Sequence, residues 1–563
     1  MEKLSKAEQL LIIAFLALLV LPVLYLFRGL DDNTLTSWKW VYGSGGLLRT
    51  FGLVASGVAV AFFLRRTELF ERQPVPFLFI LSFAAIVPLW SEPEVILDAS
   101  RYFLQAKHLE LYGVRSFFQE WGRGISAWTD MPVVPFFYGL IFRYCGETRL
   151  AVQIFTTLLF SASVVLTFLT GKRLWDEETG LFAGLMLLGS PYLLIQVPLM
   201  LVDVPAMFFV TLALFTFFDA LEQGGPLRIC LAAMALVLGL FSKYSAPLML
   251  LVLPIAALLY RKPKAKAMLQ RSVLIMGTAA LVSAAAVIEK ADVFGAQIKL
   301  LRSYQLPGFS RWSEGLVSTF FFQVHPFIAV LALLAVFAAA KKKDTRFFIP
   351  AWFAFFGLQV ERIRYILPLF PLLTLASAYG LSLFKEKEVR GFIVFSVVVT
   401  SVALAMSAYL PFLSITTMAN LERAGSYLDS LPGDSVIVRV LPQRESSGNT
   451  ETAIPVLDLF TRKRVIYRRD HLSLPADDKI KQSPLRFTWN CPLPGYYFNG
   501  GPPERGPVAL ISSDIEPASP KVANGASRTG PHQFAMDSGT FRFKTVVTVY
   551  SEQDLSETAR EPE

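Results

Sequence analysis

Long apolar stretches, separated by short loops that alternate between strongly basic and mixed charge, make up most of this chain. A bilayer's hydrocarbon core is crossed by roughly 20 helical residues. Candidates run over 9–28, 47–65, 75–91, 150–172, 180–199, 204–221, 228–245, 246–260, 273–290, 319–340, 347–361, 366–384 and 391–411. No water reaches the bilayer interior to satisfy a backbone N–H or C=O, so runs of this kind fold as helices. The chain therefore reads as an all-α polytopic membrane domain of about thirteen spans. The basic loops hold Arg65 and Arg66; Lys172 and Arg173; Arg261, Lys262, Lys264 and Lys266; Lys341, Lys342, Lys343 and Arg346; and Lys385, Lys387 and Arg390. They fall on alternate connections and belong in the cytoplasm by the positive-inside rule. An odd number of spans with the N-terminus inside then puts the C-terminus outside, in a plasma (inner) membrane.

Composition agrees: 54% of residues are hydrophobic and only 17% charged, too little charge for a soluble chain of this length. The formal charge of +9 owes much to the basic loops. No basic soluble face interleaved with aromatics is visible, so a nucleic-acid partner is excluded. Cys145, Cys230 and Cys491 are far apart and form neither a disulfide framework nor a zinc spacing. The apolar run from Leu10 to Phe27 is too long for a signal-peptide core and lacks a small-x-small cleavage site after it, so it reads as a retained span.

Two outside loops are long. The first, about 91–148, contains two amphipathic pieces, 98–112 and 133–144, that read as interfacial helices. The second, about 290–317, holds Lys299, Arg302, Tyr304, Arg311, Trp312 and Glu314. After Pro411 the chain turns rich in Pro, Gly, Ser and charge. An amphipathic helix over about 418–431 precedes short β-type runs at 435–441, 464–467, 508–512 and 543–550. Three parts result: 1–74, two N-terminal spans; 75–411, the main membrane domain; and 412–563, a small extracytoplasmic α/β domain with a ragged tail after about Ser551.

In this topology Asp98, Asp203, Lys243, Glu361, Arg362 and Arg364 all lie outside, at or beside span ends. Ionisable groups against spans are costly unless paired, and their clustering on one face marks a functional site. The segments around them form ordered motifs. Asp98-Ala99-Ser100-Arg101-Tyr102-Phe103-Leu104-Gln105-Ala106-Lys107 follows a span directly. Met131-Pro132-Val133-Val134-Pro135-Phe136-Phe137-Tyr138 comes next, then Arg149 through Lys172-Arg173-Leu174-Trp175. Leu201-Val202-Asp203-Val204-Pro205, Gly239-Leu240-Phe241-Ser242-Lys243-Tyr244 and Arg362-Ile363-Arg364-Tyr365-Ile366-Leu367-Pro368 complete the series.

Six motifs in this order resemble the GT-C membrane glycosyltransferases, in the branch of the protein O-mannosyltransferases and the lipid A aminoarabinose transferase. Ala99 stands where that pattern has a second acid, Met131 where it has a lysine, and Tyr244 where it has a glycine. The resemblance implies a hexosyl- or pentosyltransferase. It would move a sugar from a polyprenyl-phosphate donor to an extracytoplasmic glycan, lipid or protein acceptor. Displacement at the anomeric carbon needs a carboxylate to take the acceptor's proton, and the leaving lipid phosphate needs fixed cations. Asp98 is the implied base, and Asp203 orients the acceptor or holds the base or a clamp. Lys243, Arg362 and Arg364 are the implied phosphate clamps, and Arg101, Tyr102 and Tyr365 complete the substrate-binding set. The resemblance fixes no cofactor, and a divalent ion shared by Asp98 and Asp203 stays open.

Plainer roles stand beside these. Asp98 and Asp203 can cap helices, Lys243 and one arginine can snorkel, and Arg101 can pair with a neighbouring carboxylate. Two other functions also remain open. A transporter or lipid-linked-sugar flippase would need midplane charges and broken spans in paired halves. A catalytically inactive relative serving as a scaffold would fit the departures at Ala99 and Met131.

Overall fold

The computed structural model describes residues 4–29, 41–66, 72–94, 97–259, 265–307, 323–357, 362–415, 418–441, 448–469, 477–483, 485–498, 506–513, 531–535 and 545–551. Glu361, Arg311, Trp312, Glu314 and the tail after Ser551 lie outside the described residues. The chain divides into two compact units. One comprises 1–91, 129–134 and 153–412, the other 92–128, 135–152 and 413–563.

Among the described residues, eight helices are long and apolar enough to cross a bilayer: Lys6–Phe27, Leu47–Leu64, Pro74–Ser91, Arg149–Leu174, Asp203–Gln223, Lys266–Glu289, Ile363–Leu383 and Lys387–Leu413. The chain is an integral membrane protein. The other five stretches read as spans are built from shorter pieces. The stretch 180–199 is a helix Glu177–Leu187 followed by Pro191–Gln196, broken at the Ser190-Pro191 start of the second. The stretch 228–245 becomes Pro226–Leu240, and 246–260 becomes Ala246–Met249 plus Val252–Leu259, with Pro247 and Pro254 inside them. The stretches 319–340 and 347–361 appear as Pro326–Lys342 and Phe348–Gly357. A proline is tolerated in a helix's first turn and interrupts the ladder further in, which accounts for several of these breaks.

Within the first unit, burial sorts the spans. Ile363–Leu383 is 89% buried and Asp203–Gln223 72%, whereas Lys266–Glu289 is 17% buried. The first two form the interior of the bundle, and both carry candidate site residues. Neighbouring helices pack through small residues. A Cβ on Gly171 would lie 2.7 Å from the Cα of Gly180, and one on Gly180 would lie 2.6 Å from the Lys172 backbone nitrogen. Backbones in lipid pack through van der Waals contact and favour small residues at such crossings.

The second unit is built on a five-stranded sheet. Its strands are β1 (Ser435–Val440), β2 (Arg464–Tyr467), β3 (Val508–Ser512), β4 (His532–Ala535) and β5 (Val546–Tyr550), in the order β2-β1-β3-β5-β4. β1 pairs in parallel with β2 (Ile437 opposite Ile466) and with β3 (Val438 opposite Ala509). β5 runs antiparallel to β3 and β4. Parallel neighbours need a crossover, and the helix Ala453–Phe460 lies between β1 and β2 in sequence. β1 alternates half-buried and buried residues, with Val436, Val438 and Val440 inside. They share a core with Leu421, Ala424 and Leu428 of the helix Ala419–Ser430 and with Ile454 and Leu457. The two helices cross at Gly425, where a Cβ would sit 2.5 Å from the Phe460 carbonyl oxygen.

The same core takes in residues from far upstream: Leu97 is part of it, and Leu104 and Trp128 pack against it. The first amphipathic piece read from the sequence is the opening of a helix Asp98–Glu120. It kinks at Gly113, whose φ of 84° lies where L side chains are disfavoured. The second piece is the helix Val133–Cys145. Strands expected at 435–441, 464–467 and 508–512 form, and the fourth run yields Val546–Tyr550. β4 carried no readable signal, being short, polar and at the sheet's edge.

If the Gly171–Gly180 crossing sets helix spacing, Gly180→Val should cost about 1–3 kcal/mol by overpacking. Gly277→Val, at a position with nothing within 4 Å of a Cβ, should be nearly silent. Thermal unfolding of both variants in detergent measures the difference; equal midpoints would contradict the packing argument.

Candidate active site

Asp203 opens the span Asp203–Gln223 and is 1% exposed. Lys243 lies in the turn after the helix Pro226–Leu240, and Arg364 in the short helix Ile363–Ile366. The three meet. The Lys243 Nζ donates to Asp203 Oδ1 at 2.7 Å, and the Arg364 Nε donates to Asp203 Oδ2 at 2.9 Å. The Lys243 Nζ also donates to the Arg364 carbonyl at 3.2 Å. The cation side chains are 4% and 9% exposed. Tyr365 joins them to Arg362: its ring centroid is 5.4 Å from the Lys243 Nζ and 5.2 Å from the Arg362 Cζ. Tyr244 stands edge-on to Tyr365 at 6.1 Å. One carboxylate is hydrogen-bonded to both Lys243 and Arg364, and Arg362 stands beside them across the Tyr365 ring.

This geometry replaces two of the plainer roles. The residue at the N-cap of the Asp203 helix is Val202, and no side chain caps there; both Asp203 oxygens are taken by cations. Lys243 does not snorkel, because it is buried in the pair.

A strip of the first unit, 129–134, is fastened to the same bundle. The Val133 N–H donates to the Phe241 carbonyl at 3.2 Å. Gln297 donates to the Asp130 carbonyl at 2.8 Å, and Gln305 to the Thr129 hydroxyl at 3.1 Å. Sequence reading missed Asp130, Gln297 and Gln305. The only signal was the position of Asp130 just before Met131-Pro132.

In the second unit Asp98 is the first residue of its helix. The N-cap is Leu97, without a side-chain cap bond, so the capping role read for Asp98 is not the one it takes. Its Oδ1 lies 3.2 Å from the Arg101 Nη1. The side chain of Asp98 is 17% exposed and that of Arg101 7%. The Arg101 Cζ stands 4.6 Å from the Phe487 ring centroid and 5.5 Å from that of Tyr102. Tyr102 is 3% exposed and contributes packing to the first turn.

Upstream, Glu92 and Glu94 are wholly buried. Arg149 donates to the Glu92 carbonyl and reaches Glu94 at 3.5 Å and Glu422 at 3.6 Å. Burial pushes the Glu92 carboxyl well above its usual range, with Arg149 pulling it back. His325 caps the helix Pro326–Lys342 through Nδ1 and meets the Thr400 hydroxyl through Nε2 at 3.0 Å, a structural use of both nitrogens. His108 lies 3.2 Å from the Ser116 hydroxyl. Among the described residues no three His, Cys, Asp or Glu side chains are placed to hold a metal ion. The structure thus collects Asp203, Lys243, Arg362, Arg364 and Tyr365 in one unit and Asp98, Arg101 and Tyr102 in the other.

The described residues thus combine a helical membrane domain, a small α/β domain and buried acid–base pairs at span ends. Residues 129–288 match the sequence profile of the dolichyl-phosphate-mannose-protein mannosyltransferase family. The fold is similar to that of ArnT from Cupriavidus metallidurans crystallised with undecaprenyl phosphate: TM-score 0.55 and 12% identity, covering 87% of this chain and 100% of that one. Apo ArnT gives TM-score 0.53 at 12% identity, covering 88% and 100%. No curated protein matches the chain in sequence.

Asp203→Asn would leave Lys243 and Arg364 buried against a neutral amide. Breaking a buried pair in this way costs about 3–5 kcal/mol. Arg362→Gln, which leaves both ion pairs intact, should cost under about 1 kcal/mol. Denaturation of the purified variants checks this, and comparable losses in the two would refute the assignment of Asp203 as the cluster's keystone.

Proposed function

We propose that the protein transfers a hexosyl or pentosyl group from a polyprenyl-phosphate carrier to a glycan, lipid or protein acceptor on the outer face of the plasma membrane. The observation that carries the reading is the Asp203–Lys243–Arg364 cluster. It holds Lys243 and Arg364 side by side, with Arg362 next to them, in a fold similar to that of a protein crystallised with undecaprenyl phosphate. In the reaction the acceptor oxygen attacks the anomeric carbon and its proton passes to the Asp98 carboxylate. The bond from that carbon to the phosphate oxygen breaks, and the lipid monophosphate leaves with the electron pair. Lys243, Arg362 and Arg364 receive its charge, Asp203 holding Lys243 and Arg364 at fixed spacing. Guanidinium suits a phosphate's paired oxygens, and fixed cations cost no reorganisation as the charge develops. Arg101 and Tyr102 shape the turn around Asp98.

The alternation of basic loops supports an extracytoplasmic C-terminal part. A reporter active only in the cytoplasm should be silent when fused after Ser551. Activity there would move the proposed site to the wrong face.

Asp98→Asn keeps size but cannot take a proton. With washed membranes and polyprenyl-phosphate sugars, this variant should lose ~10²–10⁴-fold in transfer while still binding donor. Near-normal turnover would dismiss Asp98 as the base.

A further inference from the structure

Lys107 closes the first motif, and the proposed chemistry leaves it without a task. It sits nine residues beyond Asp98 on the same helix, ~13 Å along its axis. Its Nζ donates to Asp458 Oδ2 at 2.6 Å and to Glu147 Oε1 at 2.8 Å. The Tyr497 hydroxyl donates to the same Asp458 oxygen at 2.7 Å. Asp458 is 3% exposed, and the Lys107 and Glu147 side chains 16% and 19%. The rings of Phe103, Tyr497 and Tyr496 surround the ammonium at 5.3, 5.7 and 5.9 Å. Four segments remote in sequence therefore converge on one cation: the Asp98 helix, the connector after the helix Val133–Cys145, the crossover helix Ala453–Phe460 and the turn at Gly495–Phe498. Next to it, Gly139 packs on Leu109 and Arg143 donates to the Glu110 carbonyl at 3.1 Å.

We infer that Lys107, clamped between Asp458 and Glu147, is a positioning residue that fixes the Asp98 helix to the C-terminal α/β domain. That domain is thereby a working part of the transfer machinery. The link to transfer rests on the proposed function; the clamp itself does not.

The clamp is pH-sensitive in a defined direction. Burial pushes Asp458 up to about 6 and Glu147 up to about 8; for Glu147 a hydrogen bond shared with Glu110 adds to the rise, and in both cases Lys107 pulls back. Desolvation would lower Lys107, but Asp458 and Glu147 outweigh it and raise it. The other titratable groups facing the cluster are Tyr112, Tyr496 and Tyr497. Near neutral pH Lys107 is charged, Asp458 is ionised and Glu147 keeps its proton. A carboxyl whose folded value is raised contributes stability below its unfolded value and loses it as pH rises through the folded one. For Glu147 that loss runs from the usual carboxylate range to about 8. Above it a second buried negative charge opposes the dock.

The test uses full-length protein in nanodiscs, with hydrogen exchange of the amides in 98–112 as the first readout and transfer as the second. Raising the pH from about 7 to about 9 should lower protection of that segment. Glu147→Gln cannot ionise and should abolish the alkaline loss. Lys107→Met should lower protection by at least ~10-fold at neutral pH, and Lys107→Arg should restore most of it. In transfer, Lys107→Met should lower kcat with the donor KM unchanged, because Asp98 is misplaced and donor contacts are not. An unchanged protection pattern in Lys107→Met, or the same alkaline loss in Glu147→Gln, overturns the clamp. If Lys107→Met does not fold, the Glu147→Gln comparison decides alone. Absence of transfer in every form, wild type included, with the exchange pattern as stated, refutes the proposed function and leaves the clamp standing.

Discussion

A carboxylate and two cations buried at the ends of helices in an apolar bundle can exist only together. Each alone would face a desolvation penalty of several kcal/mol, so Asp203, Lys243 and Arg364 dictate which chain segments meet. The start of one span, the turn after the helix Pro226–Leu240 and the short helix Ile363–Ile366 are brought to a single point. The position suits the acid: Asp203 is in its helix's first turn, where the macrodipole favours negative charge. Because one acid serves two bases, the pairing that makes burial tolerable also sets two cations side by side. The same interaction thus fixes both the bundle and the spacing of the two cations.

The second unit obeys the same rule in a more polar setting. Its sheet buries Val436, Val438 and Val440 against two helices, yet the core is completed by Leu97, one residue before Asp98, with Leu104 and Trp128 packed against it. Arg101 adds a guanidinium over the Phe487 ring. The proposed base therefore stands on a helix whose packing partners come from a region more than 300 residues downstream. The C-terminal domain is no appendage but the support of the Asp98 helix.

Legibility in the sequence followed the range of the physics involved. Eight spans were readable because roughly 20 apolar residues in a row have few other uses. β1 and the piece 98–112 were readable from periodicity. Stretches such as 180–199 and 246–260 were read as single spans because hydropathy averages over the breaks at Ser190-Pro191 and around Pro247 and Pro254. β4 was invisible because an edge strand with exposed polar residues has no buried face to imprint a pattern. Lys243, Arg362 and Arg364 were grouped because each lies near a span end on one expected side, but the capping roles for Asp98 and Asp203 failed for one reason. Local rules rate an acid at a helix start by the nearest N–H groups, whereas here cations 3 to 161 positions away claim it. Lys107 and Asp458, 351 positions apart, left no local trace at all.

The departures from the family pattern can be weighed by what they would strand. A chain drifting into an inert scaffold loses one member of a charged pair and leaves the other buried and unanswered, at a cost of about 1–3 kcal/mol or more. Ala99, where the pattern has a second acid, is 1% exposed. The cation nearest in sequence, Arg101, is answered by Asp98 and lies over Phe487. At Met131 the lost lysine leaves a strip whose neighbours Asp130 and Thr129 accept from Gln297 and Gln305. At each departure the neighbouring groups Arg101, Asp130 and Thr129 have partners of their own. The Asp203–Lys243–Arg364 trio would be kept in an active enzyme and an inert scaffold alike, because breaking a buried pair of this kind costs about 3–5 kcal/mol of stability.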